Sequence, residues 1–149
     1  MPIATLGLAH GPTYGAGADL LCTCDIRVAD ESTTFRLPGL AFGVVLGTRR
    51  LAVRVGADRA RRVQSTGGVF GAAEALSYGF ISHIAARADW PAIVNSTAAD
   101  IAGVPAAARA HFFRATRTDS RDSDLADLIR AASAPGLADR IRRFRVANR

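Results

Sequence analysis

Three small residues, Gly15-Ala16-Gly17, stand directly before the run Ala18-Asp19-Leu20-Leu21-Cys22, which reads as the start of a helix with a carboxylate, Asp19, in its first turn. Small residues let a ligand approach the backbone, and the head of a helix offers N–H groups without intrahelical partners at the positive end of the dipole. Such a corner can stabilise an oxyanion, and a carboxylate one turn along can move a proton. Two structural readings stand beside the chemical one. Glycine-rich turns before helices are common, and the dipole favours an acid in a first turn whatever its use.

Other reactive residue types are sparse. Cys22 and Cys24 are separated by one residue, which suits neither a thioredoxin-type pair nor a zinc knuckle, and they read as buried free thiols in a reducing compartment. His10, His83 and His111 have no metal-ligand spacing to one another or to the cysteines, so no metal site is expected. The net charge of +6 and the pI near 10.9 come from 19 basic residues, every one an Arg, and would attract a phosphate-bearing partner. No helix-turn-helix, zinc-finger or basic-aromatic pattern accompanies that charge, so a nucleic-acid role is not expected. Arg140, Arg142, Arg143, Arg145 and Arg149 give a basic C-terminal helix whose plain reading is a solvated face. Trp90, Phe112 and Phe113 read as helix-packing anchors.

The elements that must position the Gly15–Asp19 corner follow from the punctuation of the chain. Ile3–Ala9 is an apolar run ended by His10-Gly11-Pro12, a buried strand leading into a loop. After the helix, Asp25–Ala29 and Thr33–Phe35 read as strands. Leu37-Pro38-Gly39 breaks the chain and Gly43 and Gly47 keep it loop-like. Helical periodicity returns over Arg49–Val55, Ala57–Ser65 and Gly71–Tyr78. Phe80–Ile84 reads as a strand, and from about Asp89 onward the chain reads as helices interrupted at Gly103-Val104-Pro105 and Ala134-Pro135-Gly136. Hydrophobic residues at 49% and charged residues at 21% suit one ordinary folded domain and argue against disorder. No stretch approaches the length of a membrane span, and the first residues lack the basic leader of a signal peptide, so a cytoplasmic protein is expected.

The run PIATLGLAHGPTYGAGADLLCTCDIRVADESTTFRLPGLAFGVVLG resembles the crotonase (enoyl-CoA hydratase/isomerase) superfamily in type and spacing. The shared features are a strand, a loop ending in three small residues, an acid soon after, Cys24-Asp25, a strand, Phe35 and Pro38. Arg50-Leu51, the Gly56-Ala57 turn and STGGVFGAAEALSYGFISHIA, from Ser65 to Ala85, continue the likeness. It is close from Pro2 to about Ala85 and rests on helical character alone beyond that. GAGADL also has the look of the family's earlier small-small-Asp-Leu motif, but CTCD and the Phe35/Pro38 spacing fit the second motif better.

The resemblance implies an α/β fold of the crotonase type, a ββα spiral, with a partial core over 1–88 and a helical, oligomerisation-type region over 89–149. It implies that the backbone N–H of Ala16 faces a thioester oxygen, that Gly15, Gly17 and Pro38 lie along the substrate, and that Asp19 holds the place of the first catalytic carboxylate. Asp is one methylene shorter than the Glu usual there. The second carboxylate of the hydratases falls at Gly39, and neither Glu31 nor Glu74 occupies a catalytic slot. Hydration needs one group for water and another for the α-proton, whereas shifting a double bond needs a single acid/base. Isomerase-type chemistry on an acyl-CoA thioester is therefore favoured over hydration, with no cofactor beyond the coenzyme A of the substrate.

The family's other oxyanion-hole donor comes from strands N-terminal to the matching region, so the chain reads as truncated. The alternative function is that of an inactive, truncated paralogue acting as an interaction module, either as a homo-oligomer or with a full-length relative. The likeness also gives the basic C-terminal segment a second reading, contact with the phosphate end of coenzyme A. The loop after Gly43 reads as shorter than the family's glycine-rich stretch.

Overall fold

Two consecutive stretches of the chain fold in the same way, each laying one strand in each of two sheets and then turning into a helix. The structure, a computed structural model, describes residues 3–148; Met1, Pro2 and the C-terminal Arg149 lie outside the described residues. The first stretch is β1 (Leu6–Ala9), β2 (Pro12–Tyr14) and α1 (Ala16–Thr23), and the second is β3 (Ile26–Ala29), β4 (Thr34–Arg36), a 3-10 turn over Gly39–Phe42, and α2 (Thr48–Val55). β1 and β3 run parallel with Leu6 opposite Ile26, and β2 and β4 run parallel with Pro12 opposite Thr34. This is the ββα spiral that the resemblance implies.

The chain continues through α3 (Ala57–Thr66), β5 (Phe70–Gly71), α4 (Ala72–Ser77) and β6 (His83–Ile84). β6 joins β3 in parallel and β5 joins β4 antiparallel, so the described strands form two three-stranded sheets, ordered β1-β3-β6 and β2-β4-β5. Thr33 holds the crossing between the sheets: it is buried, and its hydroxyl donates to the Ala9 carbonyl at 3.1 Å. The step from the first sheet to the second therefore occurs at the same level in both stretches.

The core lies between the sheets and the helices that follow them. Ala18, Leu21 and Cys22 recur at the i, i+3, i+4 spacing of a helix face, and α1 buries all three. α2 buries Leu51 and Val55, and α3 buries Ala60 and Val63. Phe35, Phe70 and Phe80 form an aromatic trio with centroids 5.1 to 5.6 Å apart, two of the three contacts edge-on. Arg27 is buried yet satisfied. Its guanidinium donates to the carbonyls of Phe80, Cys24, Asp25 and Gly79, which ties the segment before β6 to β3.

Several elements differ from the sequence expectation. Pro12–Tyr14 is a short strand where a loop is expected, and Gly39–Phe42 is a 3-10 turn. Phe80 and Ile81 belong to the core but precede β6, because their N–H groups donate to the Ala75 carbonyl of α4 and not to a neighbouring strand. Cys22 is buried as expected, whereas Cys24 is only half-buried; both thiols are free.

The C-terminal region comprises α5 (Trp90–Ala102), α6 (Ala106–Thr116), α7 (Arg121–Ala132) and α8 (Leu137–Ala147), and of the described residues in these helices only Phe113 is buried. Phe113 is thus the packing anchor that the aromatic pattern suggests, while its neighbour Phe112 is 59% exposed. Trp90 is half-buried and donates from Nε1 to the Ala85 carbonyl at 3.2 Å. These helices attach to the core largely through guanidinium groups. Arg49 of α2 pairs with Asp124 and Asp127 of α7, and Arg140 of α8 donates to the Phe42 carbonyl at 2.9 Å. Phe144 stacks edge-on against Phe42, and Arg36 of β4 reaches Asn148 at 2.7 Å. The basic C-terminal helix is therefore more than a solvated face at Arg140.

Asp25 supports the fold directly. Its Oδ2 accepts from the Thr5 N–H and hydroxyl, both at 2.8 Å, and from Arg117 at 2.6 Å, joining the entry to β1 with the end of α6. Burial pushes its carboxyl up, but the hydrogen bonds from Arg117 and Thr5 more than offset this and hold it below its ordinary value. Asp25→Ala is expected to cost about 2 kcal/mol of unfolding free energy, as for loss of hydrogen bonds to a charged group, and Arg117→Ala less, because Thr5 stays bonded. Urea titration of the two variants and the double mutant checks the order. The wild-type contribution should fade on acidification, since a depressed carboxyl stabilises only while ionised.

Candidate functional site

Gly15 makes the corner. The chain must leave β2 and enter α1 within one residue, and Gly15 does so at φ 54°, ψ −121°, a conformation that a side chain would strain. Its own N–H donates to the Arg36 carbonyl at 2.8 Å, so it is occupied in pinning the corner to the end of β4. The first intrahelical bond runs from the Asp19 N–H to the Gly15 carbonyl at 2.9 Å. The N–H groups of Ala16 and Gly17 have no acceptor among the described residues, and both residues are exposed. Ala16 thus presents a free backbone donor at the positive end of α1. Two surface hollows lie elsewhere, one along α8 beside Ile141 and Arg145 and one between Asp30–Ser32 and Ile84–Ala86.

Asp19 lies one turn below that donor and faces α2. Burial pushes its carboxyl up from 3.8 to about 6, against the pull of the Arg50 guanidinium. No hydrogen bond from a described residue reaches it. The contact that defines its place is with Gly47, the residue capping α2: a methyl group built on Gly47 would sit 2.3 Å from Asp19 Oδ1. Gly47 has φ 65° and ψ 0°, left-handed, so its backbone favours glycine, and a side chain there would have to displace the Asp19 carboxyl group. The next residue, Thr48, has its Oγ1 buried without a partner among the described residues.

Gly39 and Pro38 belong to the 3-10 turn. Pro38 is half-buried and caps it, and the Val44 N–H returns to the Gly39 carbonyl at 2.9 Å. A methyl group built on Gly39 would lie 2.8 Å from the Val44 carbonyl oxygen, so the slot of the second carboxylate is closed by main chain. Ala16 and Asp19 therefore share one helical turn, and the Val44–Gly47 segment lies against Gly39 at one end and Asp19 at the other. Among the described residues, no group of three or more His, Cys, Asp or Glu side chains is placed to hold a metal.

Comparison with known proteins identifies the family. The profile of the Enoyl-CoA hydratase/isomerase family matches residues 1–133. The chain belongs to the enoyl-CoA hydratase/isomerase family, within the crotonase superfamily. A solved structure from Bordetella parapertussis, assigned as an enoyl-CoA hydratase/isomerase, is 44% identical with a TM-score of 0.92, over 96% of this chain and 60% of that one. "Probable enoyl-CoA hydratase echA6" of Mycobacterium leprae is 33% identical over 122 residues, 80% of this chain and 48% of the relative. "Enoyl-CoA isomerase/hydratase fer4" of Mycosarcoma maydis is 34% identical over 89 residues, 57% of this chain and 32% of the relative. The chain spans about half the length, or less, of these curated relatives.

Residues that the sequence analysis left without a role now border the site: Gly47, which seats Asp19; Val44, which closes Gly39; and Arg50, which opposes the burial of Asp19. In the sequence Gly47 registers only as a loop glycine, because its contact is with a residue 28 positions away.

The raised Asp19 carboxyl has a stability consequence. Between its ordinary value of 3.8 and about 6 the folded chain binds more proton than the unfolded chain, so stability should fall as pH rises through that window. Asp19→Asn, which cannot ionise, should flatten the slope and melt higher than wild type near neutral pH but not near the acidic end. Thermal melts at the two ends of the window test the sign.

Proposed function

We propose that this chain binds an acyl-CoA thioester and, if complemented by the surface that its longer relatives carry, shifts a carbon–carbon double bond by proton transfer through Asp19. The observation that carries this is the pairing of a free Ala16 N–H at the head of α1 with a half-buried carboxylate in the same turn, titrating at about 6. A group with that affinity is ionised near neutrality and still returns a proton readily, as a shuttle requires.

In the reaction a 3-enoyl thioester lies along the corner, with Gly15, Gly17 and Pro38 beside it. The Asp19 carboxylate removes a proton from the carbon next to the thioester carbonyl. The electron pair moves onto the carbonyl oxygen, where the Ala16 N–H stabilises the developing charge. The proton then returns from Asp19 to the far carbon of the former double bond, giving the 2-enoyl thioester with nothing else consumed. Hydration has less support, since Gly39 offers no second acid/base and Val44 fills its space. The reading involves no cofactor beyond the coenzyme A of the substrate. It places the protein in the cytoplasm, which suits the two free thiols; none of the described helices is long and apolar enough to cross a membrane.

A second reading, an interaction module without catalysis, has its own support. The C-terminal helices leave Phe112, Leu125, Ile129 and Val146 more than half exposed, and β1 and β2 each have one edge unpaired among the described strands. Such surfaces favour association with a second copy or a longer relative.

Incubating the chain with 3-enoyl-CoA and 2-enoyl-CoA, alone and with a full-length relative, separates the two. The expected outcome is isomerisation of the former, no water addition to the latter, and a drop of about 100-fold or more for Asp19→Asn, as for loss of a general acid/base. No turnover in any combination and no saturable binding of acyl-CoA by calorimetry would remove the enzyme reading. A single monomeric species by sedimentation, with cooperative unfolding, would remove the module.

A further inference from the structure

The two departures from the two-carboxylate pattern meet at one short piece of backbone. Between the 3-10 turn and α2 the chain has Val44, Val45 and Leu46 followed by Gly47. The connection is held at both ends. Gly43 and Val44 donate to the carbonyls of Leu40 and Gly39, and the Gly47 carbonyl accepts from Leu51 as the cap of α2. At one end, the Val44 carbonyl lies 2.8 Å from where a side chain at Gly39 would begin. At the other, Asp19 reaches Gly47 so closely that a methyl group there would be 2.3 Å from Oδ1 and 2.9 Å from Cγ.

We propose that the Val44–Gly47 connection, with Gly47 as the positioning residue, sets both features at once: Gly47, bare of a side chain, seats the Asp19 carboxyl group, and the Val44 carbonyl admits no side chain at position 39. A side chain at position 47 would displace the Asp19 carboxyl group. The Gly47 main chain cannot retreat without breaking the cap of α2. A Glu at position 39 meets a carbonyl oxygen, and backbone does not swing aside as a side-chain tip does. The site therefore forms one coupled arrangement, and point substitutions cannot return it to the two-carboxylate form. The inference rests on the functional reading only for the role given to Asp19; the steric relation stands apart from it.

The test uses the full chain and reads no turnover, so that failure of the enzyme reading and failure of this one remain distinct. Gly39→Ala and Gly39→Glu are made in the native chain and in one carrying a glycine-rich insertion between Val45 and Leu46, each compared with its own parent. Thermal midpoints are measured, and the carboxyl of residue 19 is titrated by carbon-detected NMR. Arg50 of α2 and Cys22 of α1 are the titratable groups that act with it, and they stay unchanged. Each substitution is expected to lower the midpoint in the native chain and to lower it far less in the lengthened one. Gly47→Ala should unseat Asp19 and bring its titration from about 6 back toward 3.8. If Gly47→Ala does not fold, the two Gly39 variants decide. A Gly39 variant melting with the native chain, losses unrelieved by the insertion, or a folded Gly47→Ala with an unchanged titration would each overturn the proposal.

Discussion

The hydrogen bond from the Gly15 N–H to the Arg36 carbonyl is the constraint on which the site depends. It fastens the end of β2 to the end of β4 just where the chain must reverse into α1, and it leaves the next two N–H groups without acceptors among the described residues. A helix that began one residue earlier would consume or redirect those donors. Because Gly15 is the one residue of the Gly15–Gly17 corner with a positive φ, the direction of α1, and with it the level of Asp19, follows from a single residue.

From that corner the packing determines the chemistry. α1 buries Ala18, Leu21 and Cys22, and Gly47, the cap of α2, lies against the Asp19 carboxyl group. Close approach removes water from the carboxylate, and desolvation outweighs the Arg50 guanidinium nearby. Arg50 is itself 3.9 Å from Asp124 of α7, so its charge is shared between the core and the C-terminal helices. The raised titration of Asp19 is thus a property of two helices in contact more than of either one.

The C-terminal helices stand in a different relation to the core. Apart from Phe113 they bury little among the described residues, and exposed ion pairs such as those of Arg49 contribute modestly to stability. Arg140, Phe144 and Asn148 nevertheless bring α8 across the 3-10 turn that contains Gly39. The region read from sequence as a helical appendage therefore also braces one wall of the candidate site.

The sequence by itself determined the helices and the β1, β3 and β4 strands between Ile3 and Ser77, the corner at Gly15–Gly17, the acid at position 19 and the glycine at position 39, because periodicity, glycine placement and charge are local properties that survive without the fold. It could not show Pro12–Tyr14 or Phe70–Gly71 as strands, since pieces so short are strands only by virtue of β4 lying between them. Nor could it show that Gly47 seats Asp19 or that Val44 closes Gly39, although both residues are plain in the sequence. Those relations are distances between main chain and side chain across an interface, and they exist only once the connection into α2 has been pulled tight against α1.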